Sequence, residues 1–277
     1  MNSHYLVFTD LDGTLLDHYT YSTAPAEKTI RQLKALSFPI IINTSKTFHE
    51  VKDIADTLAL NTPLITENGA ACYFPKGVSD SFNCNDIMPS PHAGYDRKTF
   101  TQPHFHWLDI LNSLSDTFGG FYKSFTELGV TGIQELTGLS AEQAEKASMR
   151  EFGEPVAWKG NDEQKQAFLQ ALKDAGADPV EGGRFIHVCG ACNKGLAMQW
   201  LAAQYNGMLA SSQQTKTIAL GDGKNDIAML EVADISVRVL SPVHSPPTLN
   251  KNNNVYTTTK FGPEGWAEAL SSILLLE

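Results

Sequence analysis

The sequence predicts an α/β protein: a doubly wound parallel sheet interrupted by an inserted α+β unit. Three observations carry this. The first third alternates short, continuous apolar runs with amphipathic stretches, the pattern of a parallel sheet buried on both faces and joined by helical crossovers. The middle third changes composition and has apolar stripes of its own. The last third returns to the first pattern, so a Rossmann-like core is expected from residues 1–86 and 191–277, with residues 87–190 inserted as a second domain.

The elements follow in order. Residues 5–9 are an apolar run that stops at Asp10, a first strand. A helix is expected near Thr23-Ala24-Pro25, because Ser/Thr followed by Pro is a common helix entry, with Ile30, Leu33 and Leu36 on its apolar face. Residues 39–43 form a second buried strand, a helix through Val51, Ile54, Ala55 and Leu58 comes next, and residues 64–66 form a third strand ending at Glu67-Asn68-Gly69. Residues 84–104, rich in Pro, Asn, Asp and His, read as a linker into the inserted unit. There Trp107, Ile110, Leu111 and Leu114 make a helical stripe, Ser140 and Gln143 form a capping box, and Asn161 caps a helix through Phe168, Leu169 and Leu172. Residues 155–158 and 184–188 read as strands. Beyond them lie a helix from Lys194 past Trp200 and Leu201, strands at 217–220 and 235–239 flanking a short helix at Ile227, Met229 and Leu230, and a loop plus terminal helix from Gly262.

The whole chain has 277 residues with 21 Lys+Arg against 31 Asp+Glu, a net charge of −10, which disfavours a nucleic-acid partner because no basic run exists to neutralise phosphates. No stretch of apolar residues is long enough to span a membrane. The N-terminus lacks the basic-then-apolar pattern of a signal peptide, so the cytoplasm is the expected location. Four cysteines are too few for a disulfide framework, and the Cys189-Gly190-Ala191-Cys192 spacing, with only Cys72 and Cys84 elsewhere, is a weak zinc or redox signal. The sequence sets no oligomeric state.

The chemistry concentrates where strands end. Asp10 and Asp12 directly follow the first strand, with Gly13 permitting a backbone turn; in open α/β sheets ligands bind outside the carboxyl ends of the strands. Gly221-Asp222-Gly223-Lys224-Asn225-Asp226 follows another apolar strand. If the two strands are neighbours, Asp10, Asp12, Asp222 and Asp226 converge, and such like charge is costly without a cation; oxygen ligands suit Mg²⁺. Thr44 and Ser45 follow the second strand and offer hydroxyl donors to a phosphoryl oxygen. Lys194 stands at a helix start, where a cation opposes the helix dipole, a local conflict that marks function.

Asp10-Leu11-Asp12-Gly13-Thr14-Leu15, Thr44-Ser45, Lys194 and Gly221-Asp222-Gly223-Lys224-Asn225-Asp226 resemble, in order, the four motifs of the haloacid dehalogenase-like phosphatases. The insertion between the second and third motifs resembles the large α/β cap, of the C2B type, in the sugar-phosphatase branch. Asn43-Thr44-Ser45-Lys46-Thr47, Glu67-Asn68-Gly69, Arg150-Glu151-Phe152-Gly153-Glu154-Pro155, Gly182-Gly183-Arg184-Phe185 and Gly262-Pro263-Glu264-Gly265-Trp266 together resemble the mannosyl-3-phosphoglycerate phosphatases. Cys192-Asn193 before Lys194 departs from the acidic or small residue usual there.

The resemblance implies a Mg²⁺-dependent phosphomonoesterase. Asp10 would be the nucleophile and Asp12 the general acid and base. The metal would be held by Asp10, the Asp12 carbonyl and Asp222, with Asp226 as a further ligand or a group behind them. Thr44, Ser45 and Lys194 would bind the phosphoryl group. In the cap, Arg150 and Arg184 are candidates for a glycerate carboxylate and Glu151 and His187 for sugar hydroxyls, so the partner is a small phosphorylated sugar or glycerate. The alternatives are a phosphatase of the same cap type with different or broad sugar-phosphate range, and a phosphosugar mutase or non-catalytic sensor.

Overall fold

The computed structural model describes residues 4–82, 84–181, 185–208 and 215–276. The chain begins with β1 (His4–Thr9), α1 (Glu27–Ala35), β2 (Ile40–Asn43), α2 (Phe48–Thr57), β3 (Leu64–Thr66), β4 (Ala71–Pro75), β5 (Met88–Pro89) and β6 (Tyr95–Thr99). Next come α3 (His104–Ser113), α4 (Ser115–Phe118), β7 (Tyr122–Ser124), α5 (Phe125–Thr137), α6 (Ala141–Ser148), β8 (Glu154–Trp158), α7 (Asp162–Asp174), β9 (Val180–Glu181) and β10 (Ile186–Val188). The chain closes with α8 (Lys194–Gly207), β11 (Thr215–Gly221), α9 (Ile227–Val232), β12 (Ile235–Leu240), β13 (Val255–Phe261) and α10 (Gly262–Leu274).

Nine of these strands form one sheet in the order β13-β12-β11-β1-β2-β3-β4-β6-β5. Neighbours from β13 through β3 are parallel, and β4, β6 and β5 extend the sheet antiparallel. Alternation along the central strands sorts the core into two layers. Val7, Ile40 and Ile42 point to one face and meet α1, α2 and α10 through Leu33, Val51 and Trp266. Leu6, Phe8 and Ile41 point to the other and meet α8 and α9 through Met198, Leu201 and Leu230. Both faces are covered, which is why these strands read as continuous apolar runs. The doubly wound α/β core is thus as expected.

The inserted unit is a separate four-stranded antiparallel sheet, β7-β8-β10-β9. Its core joins Trp107, Ile110 and Leu111 of α3 to Phe168 and Leu172 of α7 over Val156, Ile186 and Val188. The caps at Ser140 and Asn161 form as expected, each side chain accepting from the backbone three residues on.

Several elements differ from expectation. Residues 88–89 and 95–99, expected to lie in a linker, instead extend the core sheet, β6 pairing with β4 and β5 with β6; Asp96, Arg97 and Lys98 give this edge a polar sequence that hides the strand. The polar strand β13 is hidden for the same reason. Leu36 lies past the end of α1 and is half exposed, because Ser37 turns left-handed there (φ 58°). No loop precedes the terminal helix: α10 starts at Gly262 with Pro263 in its first turn, a position Pro suits. Among the described residues no helix is long and apolar enough to cross a membrane.

Candidate active site

The sheet topology makes the site. β1 and β11 are adjacent and parallel, with Thr9 opposite Leu220, so Asp10 and Asp222 leave the same sheet edge side by side. The Asp10 N–H donates to the Leu220 carbonyl at 3.0 Å, extending the ladder one residue into the site. The chain then turns at Gly13 in the left-handed region (φ 74°), where a Cβ would lie 2.5 Å from Asp222 Oδ2. Only glycine lets this turn pack on the facing carboxylate.

Asp10, Asp222 and Asp226 are buried, and each offers an oxygen within 4.8 Å of the others. Lys194, fully buried at the N-terminus of α8, is 2.6 Å from both Asp10 Oδ1 and Asp226 Oδ1. Burial works against its charge, but the Asp10 and Asp226 carboxylates outweigh this and hold its pKa above the ordinary lysine value. Burial likewise pushes Asp10 up to about 7, with Lys194 opposing and Asp226 reinforcing the rise. Asp222 is pushed up to about 8, by burial first and then by the Asp226 and Asp10 charges.

Three buried carboxylates against one lysine leave an excess of negative charge in a poorly solvated place, so the donor set fits a hard cation with oxygen ligands such as Mg²⁺. Among the described residues nothing donates to Asp10 Oδ2, while Asp222 is met by Thr14 Oγ1 at 3.4 Å and His244 Nε2 at 3.3 Å. Asp226 is already committed: Oδ1 to Lys194, and Oδ2 to the N–H groups of Asp222 and Gly223 at 3.0 and 2.9 Å. It therefore anchors the loop and the lysine, which suits the group behind the ligands. The Asp12 carboxylate lies outside the cluster; its Oδ2 is 3.0 Å from Lys46 Nζ, and its Oδ1 is buried without a partner.

The loop after β2 supplies the rest of the core side. Thr44 is buried, and its Oγ1 accepts from the Lys46 N–H at 3.4 Å, which leaves its own O–H to donate elsewhere. Ser45 is half-buried beside it, and its carbonyl is taken by the cap. Asn43 Nδ2 donates to the Lys194 carbonyl at 3.0 Å and ties this loop to α8.

The cap reaches the same place from above. Arg150 Nη1 donates to the Ser45 carbonyl at 2.8 Å and lies 3.8 Å from Glu67 Oε2. His187, on β10, is held neutral by burial and by the nearby Arg150 and Lys194 charges, which push its pKa down to about 3. Glu151, expected to meet sugar hydroxyls, is turned to the core instead: Oε1 takes Tyr73 Oη at 2.7 Å and His92 Nε2 at 2.6 Å, and Oε2 takes Arg97 Nη1 at 2.6 Å. Arg184 lies outside the described residues.

A profile of the haloacid dehalogenase-like hydrolases matches residues 7–81 and 161–259, more than half of the chain and both halves of the site. The chain belongs to this family. Among solved structures it resembles the sucrose-phosphatase of Synechocystis sp. PCC6803, solved with sucrose and phosphate (17% identity, 98% of each chain, TM-score 0.63). It also resembles a subclass IIB sugar phosphatase of the same superfamily (16% identity, 99% of this chain and 100% of that one, TM-score 0.64). A third is a superfamily phosphatase from Bacteroides thetaiotaomicron (16% identity, 99% of this chain and 96% of that one, TM-score 0.66). At these identities the likeness is one of fold.

As a haloacid dehalogenase-like hydrolase, this chain holds site residues that strand-end reasoning missed. Lys46 is one; Glu67 is another. Glu67, Asn68 and Gly69 are successive left-handed residues (φ 47°, 59° and 88°), a costly run for Glu in particular. Hydrogen bonds hold it: the Glu67 N–H donates to the Lys46 carbonyl at 3.0 Å and the Asn68 N–H to the Thr44 carbonyl at 2.9 Å. The strained turn aims the buried Glu67 carboxylate at three cap N–H groups, those of Glu151, Phe152 and Gly153, at 2.9, 3.2 and 2.9 Å. The strand end and the Glu67-Asn68-Gly69 motif mark Glu67 in the sequence but not its clamping role, since its targets lie more than 80 residues away.

Proposed function

We propose that this chain is a Mg²⁺-dependent phosphomonoesterase acting through an aspartyl-phosphate, with mannosyl-3-phosphoglycerate or its glucosyl analogue as substrate. The observation that carries the reaction class is Asp10: its Oδ1 is held by a buried lysine, its Oδ2 meets no donor among the described residues, and a second carboxylate follows two residues on. Asp10 Oδ2 attacks phosphorus and the bond to the leaving oxygen breaks, with Asp12 giving that oxygen its proton. Water then attacks phosphorus, Asp12 takes a proton from it, and the bond to Asp10 breaks to release phosphate. Asp10, Asp222 and the Asp12 carbonyl, with Asp226 behind them, would hold a divalent cation, which would supply charge neutralisation for the phosphoryl oxygens. Lys194 opposes the burial that disfavours the charge on Asp10 and adds positive charge, and Thr44 and Ser45 supply hydroxyl donors.

The substrate reading rests on the motifs quoted from core and cap, supported by Arg150 at the cleft beside the Ser45 carbonyl. Arg184 and His187 complete the proposed cap contacts. Purified protein assayed with and without Mg²⁺ against a panel of phosphorylated sugars and glycerates tests both levels. Phosphate release that requires the metal supports the reaction class. A tenfold preference in kcat/KM for a different sugar phosphate would remove mannosyl-3-phosphoglycerate and leave the phosphatase, and isomerised sugar phosphate in place of free phosphate would make it a mutase.

A further inference from the structure

The chain crosses between core and cap twice, and both crossings are short. On the way in, the Phe100 N–H donates to the core carbonyl of Ala70 at 2.8 Å, and the His104 N–H donates to the cap carbonyl of Glu151 at 2.7 Å, so the crossing spans residues 101–103. On the way out, the Asp178 N–H donates to the Cys189 carbonyl at 2.7 Å, which fixes Cys189 to the cap. Three residues on, Cys192 directly precedes Asn193, the N-cap of the core helix α8. Cys189 and Cys192 therefore stand at the two ends of the outward crossing.

The two crossings lie against each other. A Cβ at Gly190 would come within 2.4 Å of Thr101 Oγ1, so a glycine is needed for this approach. The Cys192 N–H closes the turn on the Gly190 carbonyl at 2.7 Å. Both thiols are free and buried, and they are hydrogen-bonded to each other. The Cys192 sulfur also accepts from the Thr101 side chain, and the Cys189 sulfur lies 3.4 Å from the Asp178 carbonyl. Hydrogen bonds from Cys189 and Thr101 hold the Cys192 thiol below its ordinary value although burial opposes them, and the positive end of α8 lies next to it. Its hydrogen bond to Cys192, together with burial, pushes the Cys189 thiol up. One sulfur is thus biased toward the thiolate with the other in contact, the arrangement of an attacking and a resolving thiol. Among the described residues no third His, Cys, Asp or Glu joins the pair in a metal-ligand group, which favours redox chemistry over zinc. An open cleft lined by Thr101, Gln102, Trp107, Gly190 and Ala191 brings solvent to the turn.

We propose that Cys189 and Cys192 form a reversible disulfide that stiffens the crossing from cap to core and slows turnover. The oxidant is hydrogen peroxide, small enough to enter the cleft. The Cys192 thiolate attacks one peroxide oxygen, the O–O bond breaks, and the departing hydroxide takes up the proton that Cys192 gave up. Cys192 is then a sulfenic acid. The Cys189 sulfur attacks the Cys192 sulfur, the S–O bond breaks, and the oxygen leaves as water with the Cys189 proton. The two thiols lose two electrons in all, and the peroxide is reduced to two waters. A small dithiol returns both electrons and both protons.

The consequence follows from where the disulfide lies. Substrate enters between surfaces held together by the Arg150 bond to the Ser45 carbonyl and by the three cap N–H groups on Glu67. Parting them turns backbone torsions in both crossings, and a ring closed through Cys189 and Cys192 restrains those of the outward one. Opening of a lid limits kcat in many enzymes. The slowed turnover rests on the phosphatase reading above; the disulfide and the stiffened cap do not.

The test is peroxide treatment of the purified wild type, Cys192→Ser and Cys189→Ala, the second variant serving if the first folds poorly. Three quantities are read: cross-linked peptides by mass mapping after alkylation, amide exchange at Glu151, Phe152 and Gly153, and hydrolysis of p-nitrophenyl phosphate with Mg²⁺. The oxidised wild type should yield a Cys189–Cys192 cross-link, exchange those three amides more slowly and lose about tenfold in kcat, all restored by dithiothreitol. Neither variant should respond to peroxide. Thiols that stay separate in the wild type would overturn the proposal. So would a cross-link that leaves amide exchange unchanged or, in an active enzyme, leaves kcat unchanged. An equal loss of kcat in the variants would place the damage at other residues and overturn it as well. A cross-linked, slowly exchanging protein whose reduced form releases phosphate from no ester would remove the phosphatase reading and leave the disulfide standing.

Discussion

The core crevice and the cap face close on one cleft, yet their side chains arrive there under different rules. On the core, Asp10, Thr44 and Asp222 each sit one residue past a strand of the same parallel run, so pairing of β1 with β11 and β2 brings them together. On the cap, Arg150 and Glu151 lie between α6 and β8, and their partners, Ser45, Tyr73, His92 and Arg97, belong to the core. The crevice is built by register, the cap face by docking. A residue placed by register has a role that its neighbours in sequence announce. A residue placed by docking can be turned from substrate to scaffold by a single rotation of the cap.

The largest effect expected from breaking this comparison is on the core side. Asp10→Asn should lower phosphate release by about 10⁴-fold or more while the protein still melts cooperatively, since it removes the proposed nucleophile and also a buried carboxylate. Retained activity in a phosphate-release assay would dismiss the nucleophile. Lys194→Met should follow, destabilising the fold by about 3–5 kcal/mol in urea unfolding, because Asp10 and Asp226 lose a shared lysine partner in a buried place. A smaller loss with added Mg²⁺ would sharpen the metal assignment, since the cation takes over part of the neutralisation.

On the cap side the effects should be smaller and of another kind. Glu67→Ala strips the acceptor from three N–H groups and should cost about 2–3 kcal/mol, read as faster amide exchange at Glu151, Phe152 and Gly153 and a raised KM. Unchanged exchange there would mean that the cap stays docked without this clamp.

The smallest effect separates the two regions by pH. Asp10 and Asp222 have folded-state pKa values near 7 and 8, above the value of 3.8 expected unfolded, so in metal-free protein the native state binds more protons over that window. Stability held below pH 4 should therefore be lost as pH rises through 7 and 8, and the melting temperature in chelator should fall between pH 5 and pH 8.5. Mg²⁺ should raise it more at pH 8.5 than at pH 5. Equal Mg²⁺ shifts at both values would argue that the cation binds elsewhere.

Much of the crevice is legible in the chain itself. Asp10, Asp222 and Lys194 stand out because an apolar run ending in a carboxylate, and a lysine set against a helix dipole, are local contradictions that sequence displays. Gly13 is readable for the same reason, although only the structure shows that a Cβ would strike Asp222. The edge strands are not legible, since β6 and β13 alternate polar residues and look like loops. Nor is the commitment of Glu151 to Tyr73, His92 and Arg97, because nothing near it in the chain foreshadows partners 54 to 78 residues away.

The sequence by itself determined the doubly wound α/β class and the acids at its strand ends, because hydrophobic period and strand-end chemistry are short-range properties of the chain. Tertiary structure alone decided that β5 and β6 extend the core sheet, that Glu67 clamps the cap, that Glu151 serves the scaffold and that Lys46 rests on Asp12. Each of these depends on which surfaces meet when two units fold against each other. That is a long-range choice, made by the burial of facing groups and visible in neither unit alone.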